Sequence, residues 1–461
     1  MRSVPSSCGP ALPSNITNPR PTARLAAGIF FPQRPLLKLS NHAYSPAVLN
    51  KIVQAATQVK SYQLAAKVLD VVGEIAISGR HVNRLAEEIG TELTKNRDRE
   101  TQDYIHHRRK KSTVAAPEVV SITLDGGRVQ TRASGQGSGV HDQHWKEDKV
   151  ACLLTLKGAS FAEDPHPEPP RCFLDAPEVD KMVREMQSHH GRREEDELPQ
   201  LAELSLGKQS LATSRKATES AAAAEEKNWP PKRTGKARTC VATMQPSGEF
   251  GKMVAAEAYR RNFQAALRGA LLGDGSAWIW AEHEKWFSHL TAIADFPHVL
   301  TYLYVTATVV ASSVSERWQI YVGWMTHCWQ GRVGTVIKEL EARQQTLGPV
   351  PKPGQLPPTD PREVVRRTLN YLRNNETRMD YPTYRKSGLP TSSSPVESLI
   401  KEINYRVKGT EKFWDNPEGA EAILQLRAAL LSDDDRLSEY IASRPGSPLR
   451  RHTAAEIGQA A

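Results

Sequence analysis

The sequence predicts an α/β sheet domain preceded by a small helical domain. Short β-branched or apolar runs lie at 119–124, 150–156, 239–243, 270–272 and 290–294. Helical periodicity separates the later runs and continues to about residue 440. Residues 46–111 carry helical patterning alone, ahead of the first strand. Strands interleaved with helices belong to α/β sheets.

The chain has 461 residues, enough for two or more domains. Its formal net charge is +9, a mild pointer to a polyanionic partner. The distribution says more. The first acidic residue is Asp70, and eight basic residues precede it, from Arg2 to Lys67. An acid-free basic arm suits phosphate contact through counterion release, and it equally suits a transit peptide or an upstream extension. Residues 1–45 are rich in Pro, Ser and Asn and read as a disordered basic arm, with 441–461 as a flexible tail. The longest uncharged apolar stretch, 299–315, is too short and too polar for a membrane span, so no membrane is expected. Five scattered cysteines without a CxxC pair (Cys8, Cys152, Cys172, Cys240, Cys328) suggest reduced thiols and a cytoplasmic location.

Within 46–111, residues 62–72 place Leu64, Ala65, Val68, Leu69 and Val72 on one stripe, and Gly73 breaks the helix. Ser78 can cap a second helix with Val82, Leu85, Ala86 and Ile89 inward. Arg80, Asn83, Arg84 and Glu87 then share the outward face. That is the layout of a helix-turn-helix, in which Arg and Asn read base edges, and also of an ordinary αα-hairpin with a solvated face.

In the sheet domain, 161–236 reads as a surface insertion and 349–361 as a proline-rich connector. Asp125 closes the first strand before a Gly126-Gly127 turn. Asp274 follows a buried apolar run in Gly273-Asp274-Gly275. Both suit a rigid oxygen-ligand site, and both suit plain turns. Ser394, Pro395 and Glu397 make a capping box for a helix burying Val396, Leu399, Ile400, Ile403 and Val407. The opposite face of that helix carries Glu397, Lys401, Asn404 and Lys408. Asp295 and His298 form Asp-x-x-His after the last strand, a metal or phosphate element or else a helix cap beside a core histidine. The chain lacks a Gly-rich phosphate loop and a nucleophile elbow, which leaves serine and cysteine hydrolase chemistry with little support.

Taken in order, four segments resemble the Mutator-like DDE transposases of bacterial insertion sequences, specifically the ISKra group. They are Leu124-Asp125-Gly126-Gly127-Arg128; Gly273-Asp274-Gly275 with Trp278 and Trp280; Asp295-Phe296-Pro297-His298; and Pro395-Val396-Glu397-Ser398 followed by Arg406-Val407-Lys408-Gly409. The resemblance spans roughly 60–445 apart from the insertion. Where the family often has Gly-Ser-Gly before the Glu helix, this chain has Ser392-Ser393-Ser394.

The resemblance implies an RNase H-like catalytic domain over 117–440, with a helical insertion at 299–390. It implies Asp125, Asp274 and Glu397 as ligands of Mg²⁺ or Mn²⁺, with Asp295 and His298 accessory to catalysis. It sets Arg406, Lys408 and Trp414 near DNA and gives the N-terminal helices the recognition of terminal inverted repeats, while Lys401 is expected near phosphate from its place on the polar face of the Glu397 helix. The expected partners are double-stranded DNA, both element ends and target, and further copies of the chain assembled on it at the nucleoid. The competing expectation is a catalytically decayed copy that only binds DNA.

Overall fold

The computed structural model describes residues 24–25, 28–29, 44–132, 144–189, 198–208, 229–349, 355–407, 414 and 417–444. The basic arm and the tail therefore lie mostly outside the described residues, as does Lys408. The backbone of Glu397 is described, but its side chain lies outside.

The chain is mixed α/β around one five-stranded sheet. Three helices come first: α1 (Pro46–Gln58), α2 (Tyr62–Val71) and α3 (Gly79–Ile105). Ser45, Ser61 and Ser78 each accept a backbone N–H of the first turn, which fixes where the three helices start. Strands β1 (Val119–Thr131) and β2 (His144–Lys157) form a long antiparallel pair. Helix α4 (Ala176–His189) follows, then β3 (Lys232–Thr243), α5 (Ser247–Arg260), β4 (Arg268–Gly273), α6 (Ala277–Trp286) and β5 (Thr291–Ala294). The spatial order is β3-β2-β1-β4-β5. The first three strands are antiparallel, and β1, β4 and β5 run parallel.

Helices then dominate: α7 (Phe296–Val310), α8 (Val314–Trp329), α9 (Val333–Leu347), α10 (Pro361–Asn375), α11 (Tyr381–Lys386), α12 (Ser394–Val407), α13 (Pro417–Leu430) and α14 (Arg436–Ser443). No helix among the described residues is long and apolar enough to cross a membrane.

Strand alternation divides the core into two layers. Val120, Ile122, Leu124, Ala151 and Leu153 pack with Phe250, Val254 and Ile279 of α5 and α6. Val119, Cys152, Leu154, Ala270 and Leu272 face the other way, into the larger core that includes α7, α12 and α13. In α12, Leu399, Ile400, Ile403 and Val407 are buried, as their spacing predicts.

Four sequence expectations need correction. First, β1 does not turn at Gly126-Gly127 but runs on to Thr131. Gly127 pairs with Asp148, and a Cβ at Gly127 would approach Asp148 Oδ1 to 2.8 Å, so the missing side chain makes room for that buried carboxylate. Second, the α2 stripe is only half used. Ala65 and Leu69 are buried, but Leu64 is 42%, Val68 36% and Val72 79% exposed, because α2 meets α1 and α3 along one narrow edge. Third, α3 continues to Ile105 and packs along α13. A Cβ at Gly90 would overlap the Ala422 backbone. The N-terminal helices thus share the core of the sheet layer. Fourth, the described part of 161–236 is packed. Val179, Val183 and Leu201 are fully buried, and the inaccessible Arg385 forms a two-point ion pair with Asp164.

Candidate metal and nucleic-acid site

The parallel registers bring three acids into one row. Strand β1 meets β4 with a constant offset, Val119 against Arg268 through Thr123 against Leu272, so 272 − 123 = 149. Carried on by two residues, that offset sets Asp125 opposite Asp274, since 274 − 125 = 149. Strand β4 meets β5 with Gly273 against Ala294, an offset of 21, and one further step sets Asp274 opposite Asp295. The Asp295 N–H continues that ladder by donating to Gly273 O at 2.9 Å. Neighbouring strands lie about 4.8 Å apart, so acids on one rung are close.

The three acids differ in environment. Asp125 follows Val119, Ser121 and Thr123 on the α12 side of β1, at the point where β1 loses its β4 partner. It is 7% exposed, and Gly126 N–H donates to its Oδ1 at 2.6 Å. Asp274 is half-buried. Ser276 donates its N–H to Oδ1 at 2.8 Å and its hydroxyl to Oδ2 at 2.9 Å. Gly275 makes that turn with φ at +102°, packed so closely that a Cβ would overlap the Tyr371 ring and come within 2.9 Å of the Asn375 amide. Asn375 also accepts the Trp280 indole N–H at 2.8 Å. Helix α10 therefore braces the Asp274 turn, a role the sequence signals only through Gly275.

Asp295 is inaccessible and fully engaged. Its Oδ2 accepts the His298 N–H at 3.1 Å and lies 2.5 Å from His298 Nδ1, while Oδ1 accepts the Ser393 N–H at 2.5 Å. Phe296 N–H donates to Thr391 O at 3.1 Å beside it. The stretch leading into α12 is thereby tied to the end of β5. Burial pulls the His298 pKa down, but the hydrogen bond to Asp295 and the charges of Asp295, Asp274 and Asp125 outweigh it and push it up to about 9. One imidazolium thus senses all three acids.

The nearby candidates divide. Glu397 lies in the first turn of α12, which packs on β1 and β2. Lys401 is exposed, with Nζ 3.1 Å from Glu185. Arg406 must be corrected. It is 2% exposed, donates to Ala56 O at 2.8 Å and sits against the Tyr62 and Trp414 rings, so it cannot reach a phosphate. Trp414 is half-buried. It donates its indole N–H to Val407 O at 3.0 Å and pairs its backbone with Gln130 and Arg132 at the end of β1, so it closes the structure after α12. On α3, Arg80 and Arg84 are exposed and Asn83 half-buried, with Arg84 2.9 Å from the His81 ring. Sequence reasoning missed Asp148, whose side chain shares the Asp125 face through Gly127.

Carboxylate oxygens are the donors that hard divalent cations select, so Asp125 and Asp274 fit such an ion. Each Asp274 oxygen accepts from Ser276 and keeps lone-pair capacity. Comparison with models of known protein families gives no match, and comparison with curated protein sequences gives none either.

Proposed function

We propose that this chain is a DDE-type DNA transposase with an RNase H-like catalytic domain, which cuts and joins phosphodiesters at the ends of its own element. The carrying observation is the parallel β1–β4 register, whose last pair, Thr123 with Leu272, stands two residues before Asp125 and Asp274 on the face that packs against α12. The strand order β3-β2-β1-β4-β5, with β1 central and the β1–β4–β5 part parallel, supports the same reading.

In this reading Asp125, Asp274 and Glu397 hold Mg²⁺ or Mn²⁺. The metal supplies activation of the attacking oxygen and charge neutralisation at the leaving oxygen. Asp125 would orient that charge from a strand, and Asp274 from a turn braced by α10 through Tyr371 and Asn375. Asp295 holds the approach to α12, and His298 keeps a proton on its ring beside the acids. The attacking group is water or a 3′-hydroxyl, and the protein forms no covalent bond to DNA. Arg80, Asn83 and Arg84 on α3 supply recognition of the terminal repeats, and copies of the chain assemble on paired ends.

Excision of a marked element from a plasmid tests this. Asp125→Ala and Asp274→Ala should each abolish excision while binding to the terminal repeats survives. Retained excision by either variant would overturn the assignment.

A further inference from the structure

Cys152 of β2 and Cys240 of β3 are Cα partners on adjacent antiparallel strands, so their side chains leave the sheet on the same side. Both sit in the larger core, 0% and 3% exposed, as free thiols. The backbone fixes the kind of pairing. The Cys240 N–H points away from β2 and donates to Ser432 Oγ at 3.1 Å, just after α13. A residue whose N–H leaves the ladder belongs to a non-hydrogen-bonded pair, whose Cα atoms stand about 4.5 Å apart. A disulfide spans Cα separations of roughly 4.4–6.8 Å, so the pair can be bridged with little backbone movement. Burial pushes the Cys152 thiol up to about 12 against the pull of Arg238, and pushes Cys240 up as well, so both rest as neutral thiols. Cys240 Sγ donates to Leu431 O at 3.5 Å. Access separates the two: a cavity of about 230 Å³ between α3, α5, α13 and α14 reaches Cys240 and not Cys152. One water needs roughly 10–15 Å³ of such space, so a molecule little larger than water reaches the Cys240 sulfur.

We propose that Cys152 and Cys240 form a reversible disulfide when hydrogen peroxide enters that cavity, clamping the edge strand β3 to β2. Cys240 Sγ attacks one peroxide oxygen and the O–O bond breaks. The departing hydroxide takes the thiol proton and leaves as water, and the oxidised sulfur is a sulfenic acid. Cys152 Sγ then attacks that sulfur. The S–O bond breaks, and the second hydroxide leaves as water with the Cys152 proton. Two thiols and one hydrogen peroxide thus give one disulfide and two waters, the sulfurs being oxidised and the peroxide oxygens reduced. An external thiol restores the pair by exchange. The clamp joins residues 88 apart, since 240 − 152 = 88, and so restricts the unfolded chain. Cys152 also pairs with Thr123 of β1, which places the clamp two residues behind Asp125 on the same face. This site is independent of the reading of the acid row.

The test uses the full chain carrying Cys8→Ser and Cys172→Ser, which removes the exposed Cys172 thiol and the one outside the described residues. The folded protein is treated with millimolar hydrogen peroxide, quenched with catalase, alkylated, digested without reductant and mapped by mass spectrometry. A peptide joining Cys152 to Cys240 should appear, lighter by two hydrogens than its reduced halves, and should vanish with dithiothreitol. The urea midpoint should rise on oxidation and return on reduction. With dimedone present, Cys152→Ser should carry the adduct at Cys240, and Cys240→Ser should carry none at Cys152. Should either variant fail to fold, the joined peptide and the midpoint of the parent chain decide. A pair still reduced under peroxide, a link that forms only in urea, a link from either cysteine to Cys328, or a midpoint that does not rise overturns the proposal.

Discussion

Asp295 Oδ1 accepts the backbone N–H of Ser393 at 2.5 Å, across 98 residues of sequence. That bond joins the end of β5 to the residue before α12, the helix whose first turn contains Glu397. Asp295→Ala would remove the partner of Ser393 N–H and leave His298 without its carboxylate. Breaking a buried charge pair from one side costs roughly 3–5 kcal/mol. Urea denaturation should show a loss of that size, and hydrogen exchange should speed up over 391–400 before the rest of the sheet.

Gly275→Ala would force a side chain into a left-handed backbone and into the Tyr371 ring. Overpacking and backbone strain together cost about 2–4 kcal/mol. The Asp274 turn should shift with it. Chemical denaturation should register the destabilisation, and element excision should fall further than stability alone accounts for.

Arg406→Ala should act on folding rather than on DNA. The guanidinium lies 4.5 Å from the Tyr62 ring centroid and 5.5 Å from that of Trp414, and it donates to Ala56 O. Losing a desolvated cation–π contact and a charged hydrogen bond costs about 2–4 kcal/mol. The salt dependence of DNA binding by the folded variant should match that of the natural chain, because a buried cation releases no counterion.

The elevated His298 pKa gives stability a pH dependence with a definite sign. Its value is about 9, raised above the ordinary ~6.5. The contribution is therefore fully present below about pH 6.5 and is lost as pH rises through about 9. In metal-free protein, His298→Gln should be less stable than the natural chain at pH 6 by on the order of 3 kcal/mol. The gap should close by pH 9.5. Denaturation curves at the two pH values decide it, and a gap independent of pH would contradict the Asp295–His298 pairing as described.

Much of the sheet was legible because its strands are short apolar runs, and Asp274 and Asp295 stand directly after two of them. The first strand does not close at Asp125 but runs on to Thr131. Gly126-Gly127 reads as a turn locally, and its purpose, space for Asp148, lies on a partner strand that periodicity cannot see. Leu64, Val68 and Val72 keep a helical period yet remain exposed, since a stripe on α2 says nothing of how wide its neighbours are. Arg406 looked like a surface cation by type. Only the three-dimensional approach of Tyr62, Ala56 and Trp414 reveals a core residue. The single row of acids was implicit in two numbers, 149 and 21, which mean nothing until the strands are known to be parallel neighbours.

Metal-dependent nicking of duplex DNA bearing the element's flanking repeats tests the central claim most directly. The natural chain should nick at the repeat boundary with Mg²⁺ or Mn²⁺ and not with chelator present. Asp125→Asn and Asp274→Asn should each lose that nicking while still shifting the repeat DNA in a gel. Undiminished nicking by either variant, or DNA binding by the natural chain with no metal-dependent nick, would contradict the account.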